Sequence, residues 1–363
     1  MPKRIFFMIV TEQMIEITKT TNSRLTELDF DNLRFGREFS DHMFEMDYTD
    51  GKWQTPRIVP FANLSLNPAV SVIHYGQSIF EGMKANKNKD GEVYLFRPEK
   101  NVARFNVSAE RMCMPEVDED LLKQAIVELV KLDEGWIPER DGSSLYIRPF
   151  MFATDEYIGV KPSSTYKLLI FTCPVNAYYA GAVRVKIEEK YTRSVEGGTG
   201  YAKAAGNYAA ALYPAKLAQE EGYHQLIWTD AIEHKWIEES GTMNVVFRTG
   251  NDIISPKPSD TILDGITRES VLQLASDWGY NVEHRRFSVD ELRQLLEANK
   301  LDEAFGAGTA ATIAPISTIG YSDHDFDLTE FGSWDFGPKV LAHIEKLKRG
   351  LCDDPHNWRF RVR

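Results

Sequence analysis

The residues able to do chemistry sit in a few short runs rich in small side chains. Gly197 to Ala210 reads GGTGYAKAAGNYAA and holds one lysine, Lys203, among glycines and alanines. A lysine ordinarily keeps its ammonium in water among polar neighbours, so the cleared surroundings need a reason. A phosphate loop ends in Gly-Lys-Ser/Thr, whereas Ala202 and Ala204 flank Lys203. Two readings of the run stay open. It is a helix start that happens to carry a lysine, or it clears space for a flat ligand, as a Schiff-base lysine must.

Other runs add candidate partners. In EESGTMN two carboxylates, Glu238 and Glu239, precede a turn. Either both are solvated, or one is buried to pair with a cationic ring nitrogen. LDGITRES places Ile266 and Thr267 at an expected helix N-terminus, where free amides and the dipole favour an anion. In FGAGTAAT, Thr309 lies among small residues that would let an anion approach the backbone; an ordinary tight turn explains the run equally well. SLYIRPF puts Tyr146 and Arg148 two apart on one strand face, a structural pair or a carboxylate-recognition pair. IHYGQSIFEG carries Tyr75 and Phe80, which read by default as core aromatics. SDHDFD reads as a solvated loop rather than a metal site, because no further ligand cluster supports it. No serine stands in a G-x-S-x-G elbow.

These runs are spread over an α+β pattern. GEVYLF, SLYIRPFMFAT and TYKLLIFTCPV read as strands, and RPEKNVARFNVSAERM as a helix starting near proline. Asp118 caps EDLLKQAIVELVKL, whose Leu122, Ile126, Leu129 and Val130 share a face at helical spacing. Beyond Pro174, VNAYYAGAV reads as a linker. Then follow the helix NYAAALYPAKLAQEEG closed by Gly222, the strand HQLIWTD, and strands joined by turns at Ser240-Gly241 and Gly250-Asn251. The helix TRESVLQLASDWG takes Thr267 as its cap, and Ser288 with Glu291 forms a capping box for VDELRQLLEAN. The expected organisation is an extension over 1–25, a small α+β domain over 26–173, a linker over 174–182 and a large α+β domain over 183–363. A ligand cleft would lie between the domains.

Composition narrows the classes. The 363 residues are 43% hydrophobic and 26% charged, ordinary for a soluble globular protein of about two domains. A net charge of -12 without a basic stripe argues against nucleic acid as partner. Three scattered cysteines form no disulfide or metal framework and fit a reducing compartment. MPKRIFFMIV has an apolar run too short for a signal peptide, and no stretch could span a bilayer. The expectation is a cytoplasmic protein with no membrane partner and no metal.

Taken in order, FGREFSDHMF, IHYGQSIFEGMKA, LFRPEKNVARFNVSAERM, SLYIRPF, GGTGYAKAAGNYAA, EESGTMNVVF, LDGITRES and FGAGTAA resemble the branched-chain amino-acid aminotransferases. These are class IV pyridoxal-phosphate enzymes of fold type IV. The resemblance runs from about Arg34 to Ala311 and leaves the first twenty or so residues unexplained. It implies a two-domain α+β fold, like that of D-amino-acid aminotransferase, with pyridoxal 5′-phosphate in the interdomain cleft. Leucine, isoleucine or valine would give up its amino group to 2-oxoglutarate in a ping-pong cycle. Partners would be amino acids and 2-oxo acids, together with a second copy of the chain, a neighbouring subunit's loop completing the pocket.

Residue by residue, the resemblance implies that Lys203 is catalytic and bonds the cofactor, and that the small residues let a planar ring reach it. Tyr208 would serve the cofactor's phenolic oxygen, and Glu239 rather than Glu238 its ring nitrogen. Arg104, the backbone of Ile266 and Thr267, and Thr309 would hold the phosphate. Thr242, Thr309 and Ala310 would lie near the substrate carboxylate. Phe35, Tyr75, Phe80, Tyr146, Val160 and Tyr178 would form the side-chain pocket. Arg148, with Tyr75 and Tyr146, would receive the second carboxylate of 2-oxoglutarate. Where vertebrate members carry a Cys-x-x-Cys thiol switch, this chain has Ala311 and Ala314, so mild oxidants should leave activity intact at this place. A D-amino-acid aminotransferase or an aminodeoxychorismate lyase shares the fold. A binding protein without chemistry is the alternative of another class, against which Lys203, Tyr208 and Glu239 argue together.

Overall fold

A computed structural model describes residues 14–176, 181–330 and 334–363. Among these residues the strands form a ten-stranded and a nine-stranded sheet. At the centre of the first, Ser144–Ala153 and Tyr166–Val175 run antiparallel, paired from Ser144↔Val175 to Ala153↔Tyr166. Helices Pro98–Arg111 and Glu119–Leu132 contribute to its core. The second helix starts where the Asp118 side chain accepts the Leu121 amide at 2.8 Å. It buries Leu122, Ala125, Ile126, Leu129 and Val130 in one core with Ile147, Met151 and Leu168. Each large aliphatic side chain buried this way contributes about 1.5–3 kcal/mol, which fixes the helix to the sheet.

The second sheet is covered on both faces, so its strands are apolar at successive positions. Val245, Phe247 and Ile254 enter one core with Leu292 and Leu296 of the helix Val289–Glu297. Val246, Ile253 and Phe305 enter the other with helices Ile266–Asp277 and Phe336–Lys348. The two sheets are stitched at their facing edges. Ile79 bridges Ala204, and the Phe80 amide donates to the Lys203 carbonyl at 3.1 Å.

Several expectations need correction. Residues 14–17, expected in an extension, join the first sheet: Glu16–Ile17 pair in parallel with Arg57–Ile58, and Ile15 enters its core. The C-terminal strand Arg359–Arg361, expected in the second unit, pairs with Val93–Phe96 of the first sheet. SDHDFD is not a loop: His324–Asp327 extends the second sheet as a strand beside Thr312–Tyr321. Thr267 is not a cap, because the helix begins one residue earlier with Gly265 at the N-cap and no side-chain cap bond. Ser288 accepts the Glu291 amide at 3.0 Å, but the Glu291 carboxylate turns to Arg285 instead of closing the box. Of the expected linker 174–182, Pro174 and Val175 instead end the strand Tyr166–Val175, and 177–180 lie outside the described residues, as does the N-terminal apolar run.

Candidate active site

The seam between the sheets opens into a cleft of about 560 Å³, a size suited to a small-molecule site. Lys203, Tyr208, Arg104, Glu239, Ile266, Thr267, Thr309, Thr242, Ala310, Phe35, Phe80, Tyr146 and Arg148 all line it. Tyr75 and Val160 do not. Tyr75 ends the short helix Ser71–Tyr75 and is 43% exposed, while Val160, in the loop before Tyr166, is 89% exposed. Tyr178 lies outside the described residues.

Lys203 stands one residue before Ala204, the N-cap of the helix Ala205–Glu220, and its backbone is clamped from the first domain. Its amide donates to Ser108 Oγ at 2.9 Å and its carbonyl accepts from Phe80. With the main chain held, Nζ reaches Tyr208 Oη at 2.9 Å, one helical turn on, and lies 4.8 Å from the centre of the Phe80 ring. Ala202 and Ala204 are buried against the seam, where larger side chains would not fit.

Glu239 closes the opposite wall. It is 2% exposed, receives the Leu263 amide, and stands 3.6 Å from the Arg193 guanidinium. Burial pushes its carboxyl above the ordinary carboxylate range, while Arg193 and the Leu263 amide pull the other way. Glu238 is also buried, so neither carboxylate is solvated. It takes a hydrogen bond from Thr261 Oγ1 at 2.6 Å, keeps Oε2 without a partner, and is pushed up to about 7 by burial.

At one end of the cleft, Glu81 grips Arg104 through both oxygens, Nε to Oε1 at 2.7 Å and Nη2 to Oε2 at 3.0 Å. Arg104 also donates to the Asp264 carbonyl, which fixes it beside the first amides of the helix Ile266–Asp277. With no side-chain cap, those amides are available to an anion. Elsewhere in the cleft lining, Arg148 Nη2 reaches Tyr146 Oη at 3.1 Å and its guanidinium stacks 4.6 Å from the Phe80 ring. Its buried Nε has no partner. The sequence reading overlooked Glu81, Arg193 and Ser108. Glu81 stands alone as a carboxylate in an apolar and small run, which was its only signal.

The donor set fits pyridoxal 5′-phosphate. There is a lysine for the aldehyde, a phenol beside it, a buried carboxylate backed by an arginine for the ring nitrogen, and an arginine with an uncapped helix for the phosphate. Among the described residues no group of histidine, cysteine, aspartate and glutamate could hold a metal, and no helix is long and apolar enough to cross a membrane.

The family described as Amino-transferase class IV matches residues 78–319. Branched-chain-amino-acid aminotransferase 2 of Bacillus subtilis (strain 168) is 42% identical over 97% of this chain and 98% of its own. A probable branched-chain-amino-acid aminotransferase of Staphylococcus aureus (strain N315) is 44% identical over 91% of this chain and 93% of its own. Among solved structures, the branched-chain amino acid aminotransferase from Thermobaculum terrenum in its PLP-form shares the fold at a TM-score of 0.73 and 22% identity, covering 90% of this chain and 100% of that one.

Proposed function

The chain belongs to the class IV aminotransferases, among the branched-chain amino-acid aminotransferases, and on that premise we propose how its own residues divide the work. Kinship over nearly the whole length sets aside the D-amino-acid aminotransferase and lyase readings. Pyridoxal 5′-phosphate, when bound, supplies an aldehyde that takes up the substrate amine and a ring that drains negative charge from Cα.

Lys203 would hold the cofactor through its aldehyde, and its amine, when free, would be the base that moves the substrate's Cα proton. Tyr208 orients Nζ and serves the phenolic oxygen of the cofactor. Glu239 keeps the ring nitrogen protonated, with Arg193 and the Leu263 amide holding the carboxylate in place. Arg104, steadied by Glu81, shares the phosphate with the Ile266 and Thr267 amides and Thr309. Thr242, Thr309 and Ala310 face the substrate carboxylate. Phe35, Phe80 and Tyr146 exclude water around the branched side chain, and Arg148 receives the second carboxylate of 2-oxoglutarate with its free Nε. Because a methylene is worth only about 1–3 kcal/mol in such a pocket, leucine, isoleucine and valine are weakly distinguished.

Tyr75 and Val160 act from a second copy of the chain. Around them Ile73, Tyr157 and Ile158 are 62%, 52% and 66% exposed, an apolar edge suited to a homodimer interface. Three free thiols fit a reducing, cytoplasmic setting.

The observation that carries this reading is the convergence in one cleft of the Lys203–Tyr208 pair, the arginine-backed Glu239 and an uncapped helix end beside Arg104. Its test is the visible spectrum of the holoenzyme. L-leucine should bleach the yellow cofactor band and 2-oxoglutarate restore it. Lys203→Ala should slow the half-reaction by roughly 10²–10⁴-fold or more through loss of the base. A response to D-alanine alone, or an unimpaired Lys203→Ala, would overturn the assignment.

A further inference from the structure

Behind the turn that joins Glu303–Gly308 to Thr312–Tyr321 lies a second cavity, of about 320 Å³, lined from three directions. The first sheet contributes Lys84, Asn86 and Ser144 on one face, since Ala85↔Leu145 pairing sets Asn86 beside Ser144. The helix Phe336–Lys348 contributes Leu341 and Glu345, and the turn itself Ala310 to Thr312. Ala310 lines this cavity and the main cleft alike.

Its polar lining is unbalanced. Asn86 and Ser144 are each 2% exposed, and Asn86 Nδ2 and Ser144 Oγ have no hydrogen-bond partner. Leaving a buried donor unmet costs about 1–3 kcal/mol, which argues for a ligand or solvent that meets it. Lys84 and Glu345 are the cavity's charged lining residues, with Lys348 and Arg349 just behind the wall. Lys84 Nζ donates one bond, to the Ala310 carbonyl at 2.6 Å. Lys348 Nζ bonds Thr312 Oγ1 at 2.8 Å and Glu345 Oε1 at 3.1 Å, and Arg349 is spent on the carbonyls of Lys87, Arg140 and Ser143. Burial drives Lys84 down to about 7, with Lys348 adding to the effect and Glu345 opposing it, so an arriving anion would favour its charged form. The opposite wall, Ala311, Ile313, Pro315 and Leu341, is apolar.

We propose that this cavity is a second binding site, for a small monocarboxylate with a short apolar tail. Its carboxylate would meet Lys84, Asn86 and Ser144, and its tail Ile313 and Leu341. Occupancy is communicated to the cleft through the turn. Thr312 holds a φ of +64°, rare for a β-branched residue, and the turn is pinned there by Lys348 and Glu345 and at Ala310 by Lys84. A carboxylate that draws Lys84 away from the Ala310 carbonyl loosens the wall beside the substrate. Only this coupling rests on the transaminase reading; the site itself stands on its own residues.

The test uses isovalerate, which has no oxo group and cannot accept an amine. Calorimetric titration of the holoenzyme should find two isovalerate sites per chain. Leu341→Trp, which fills the cavity, and Ala182→Trp, which plugs its exposed mouth, should each leave one. In a single-turnover half-reaction with saturating L-leucine, isovalerate should still slow the wild type severalfold and leave both variants unaffected. One site per chain in the wild type, or two sites surviving in a folded variant, overturns the cavity proposal. Two sites without any slowing overturns the coupling. A protein without a leucine half-reaction would contradict the proposed function, while the titration would still decide the cavity.

Discussion

Glu238 and Glu239 are neighbours on one strand with opposite duties, and their surroundings explain the division. Glu239 has Arg193, the Leu263 amide, Lys203 and Arg104 to favour its charge. Glu238 has one hydroxyl and an orphan oxygen, with Glu239 and Asp230 disfavouring its charge and Arg193 favouring it. Its carboxyl rises from 4.5 to about 7, so between these pH values the folded chain binds more protons than the unfolded one. Stability then falls as pH rises through that window, by at most about 3 kcal/mol at pH 8. Glu238→Gln should therefore raise the melting temperature at pH 8, and the gain should vanish toward pH 4.5. A gain independent of pH in scanning calorimetry would contradict the assignment. At this scale the sequence singled out residues that line one cleft and hid their supports. Lys203, Tyr208 and Glu239 sit in runs whose small neighbours set them apart in the sequence. Glu81, Arg193 and Ser108 act on other side chains or on backbone, through contacts between residues far apart in the chain.

The helix Ile266–Asp277 shows how an element is shaped by its end. Gly265 takes the N-cap with φ −77°, which any residue could adopt, so conformational freedom is not the reason for glycine. Space is. A Cβ there would lie 1.7 Å from Asn244 Oδ1, and Asn244 Nδ2 holds the Leu263 carbonyl at 2.9 Å. The Leu263 amide in turn donates to Glu239. Gly265→Ala should push Asn244 aside, shift the 263–266 backbone and weaken both the ring-nitrogen and phosphate ends of the site. Expected losses are about 1–3 kcal/mol of stability and a severalfold or larger drop in pyridoxal-phosphate affinity, read by equilibrium dialysis of the apoprotein. Unchanged affinity would show that the loop is not positioned through Asn244. Element boundaries were legible where a local device sets them, as with Asp118 or the turns at Gly241 and Gly250, both at φ +57°. They were misread where a distant partner decides. Thr267 looks like a cap but lies inside a helix whose end has no side-chain cap, and SDHDFD becomes a strand in which Tyr223 and Arg184 hold Asp325.

At the scale of the whole molecule, the cleft of one chain takes in Phe35, Phe80, Tyr146 and Arg148 but neither Tyr75 nor Val160. Those two are exposed together with the apolar side chains Ile73, Tyr157 and Ile158. Together they make one surface rather than scattered exposure. Val70 bridges Glu156, and Asn67 Nδ2 donates to Glu156 Oε2 at 2.8 Å, which ties the segment leading into the 71–75 helix to the start of the loop. Sequence patterning could place these residues in motifs but could not say that Tyr75 and Val160 stay out of the lining of their own cleft, because that depends on how the two sheets meet. In the proposed homodimer the loop of one chain covers the cleft of the other, so assembly and catalysis are coupled. Ile158→Glu puts a charge on the edge without touching the cleft of its own chain. Light scattering should show dimer giving way to monomer, and kcat/KM for L-leucine should fall with the dimer fraction while the cofactor band persists, since Lys203, Glu239 and Arg104 all come from one chain. Full activity in a demonstrated monomer would mean that one chain closes its own pocket, and Tyr75 and Val160 would lose their assigned place.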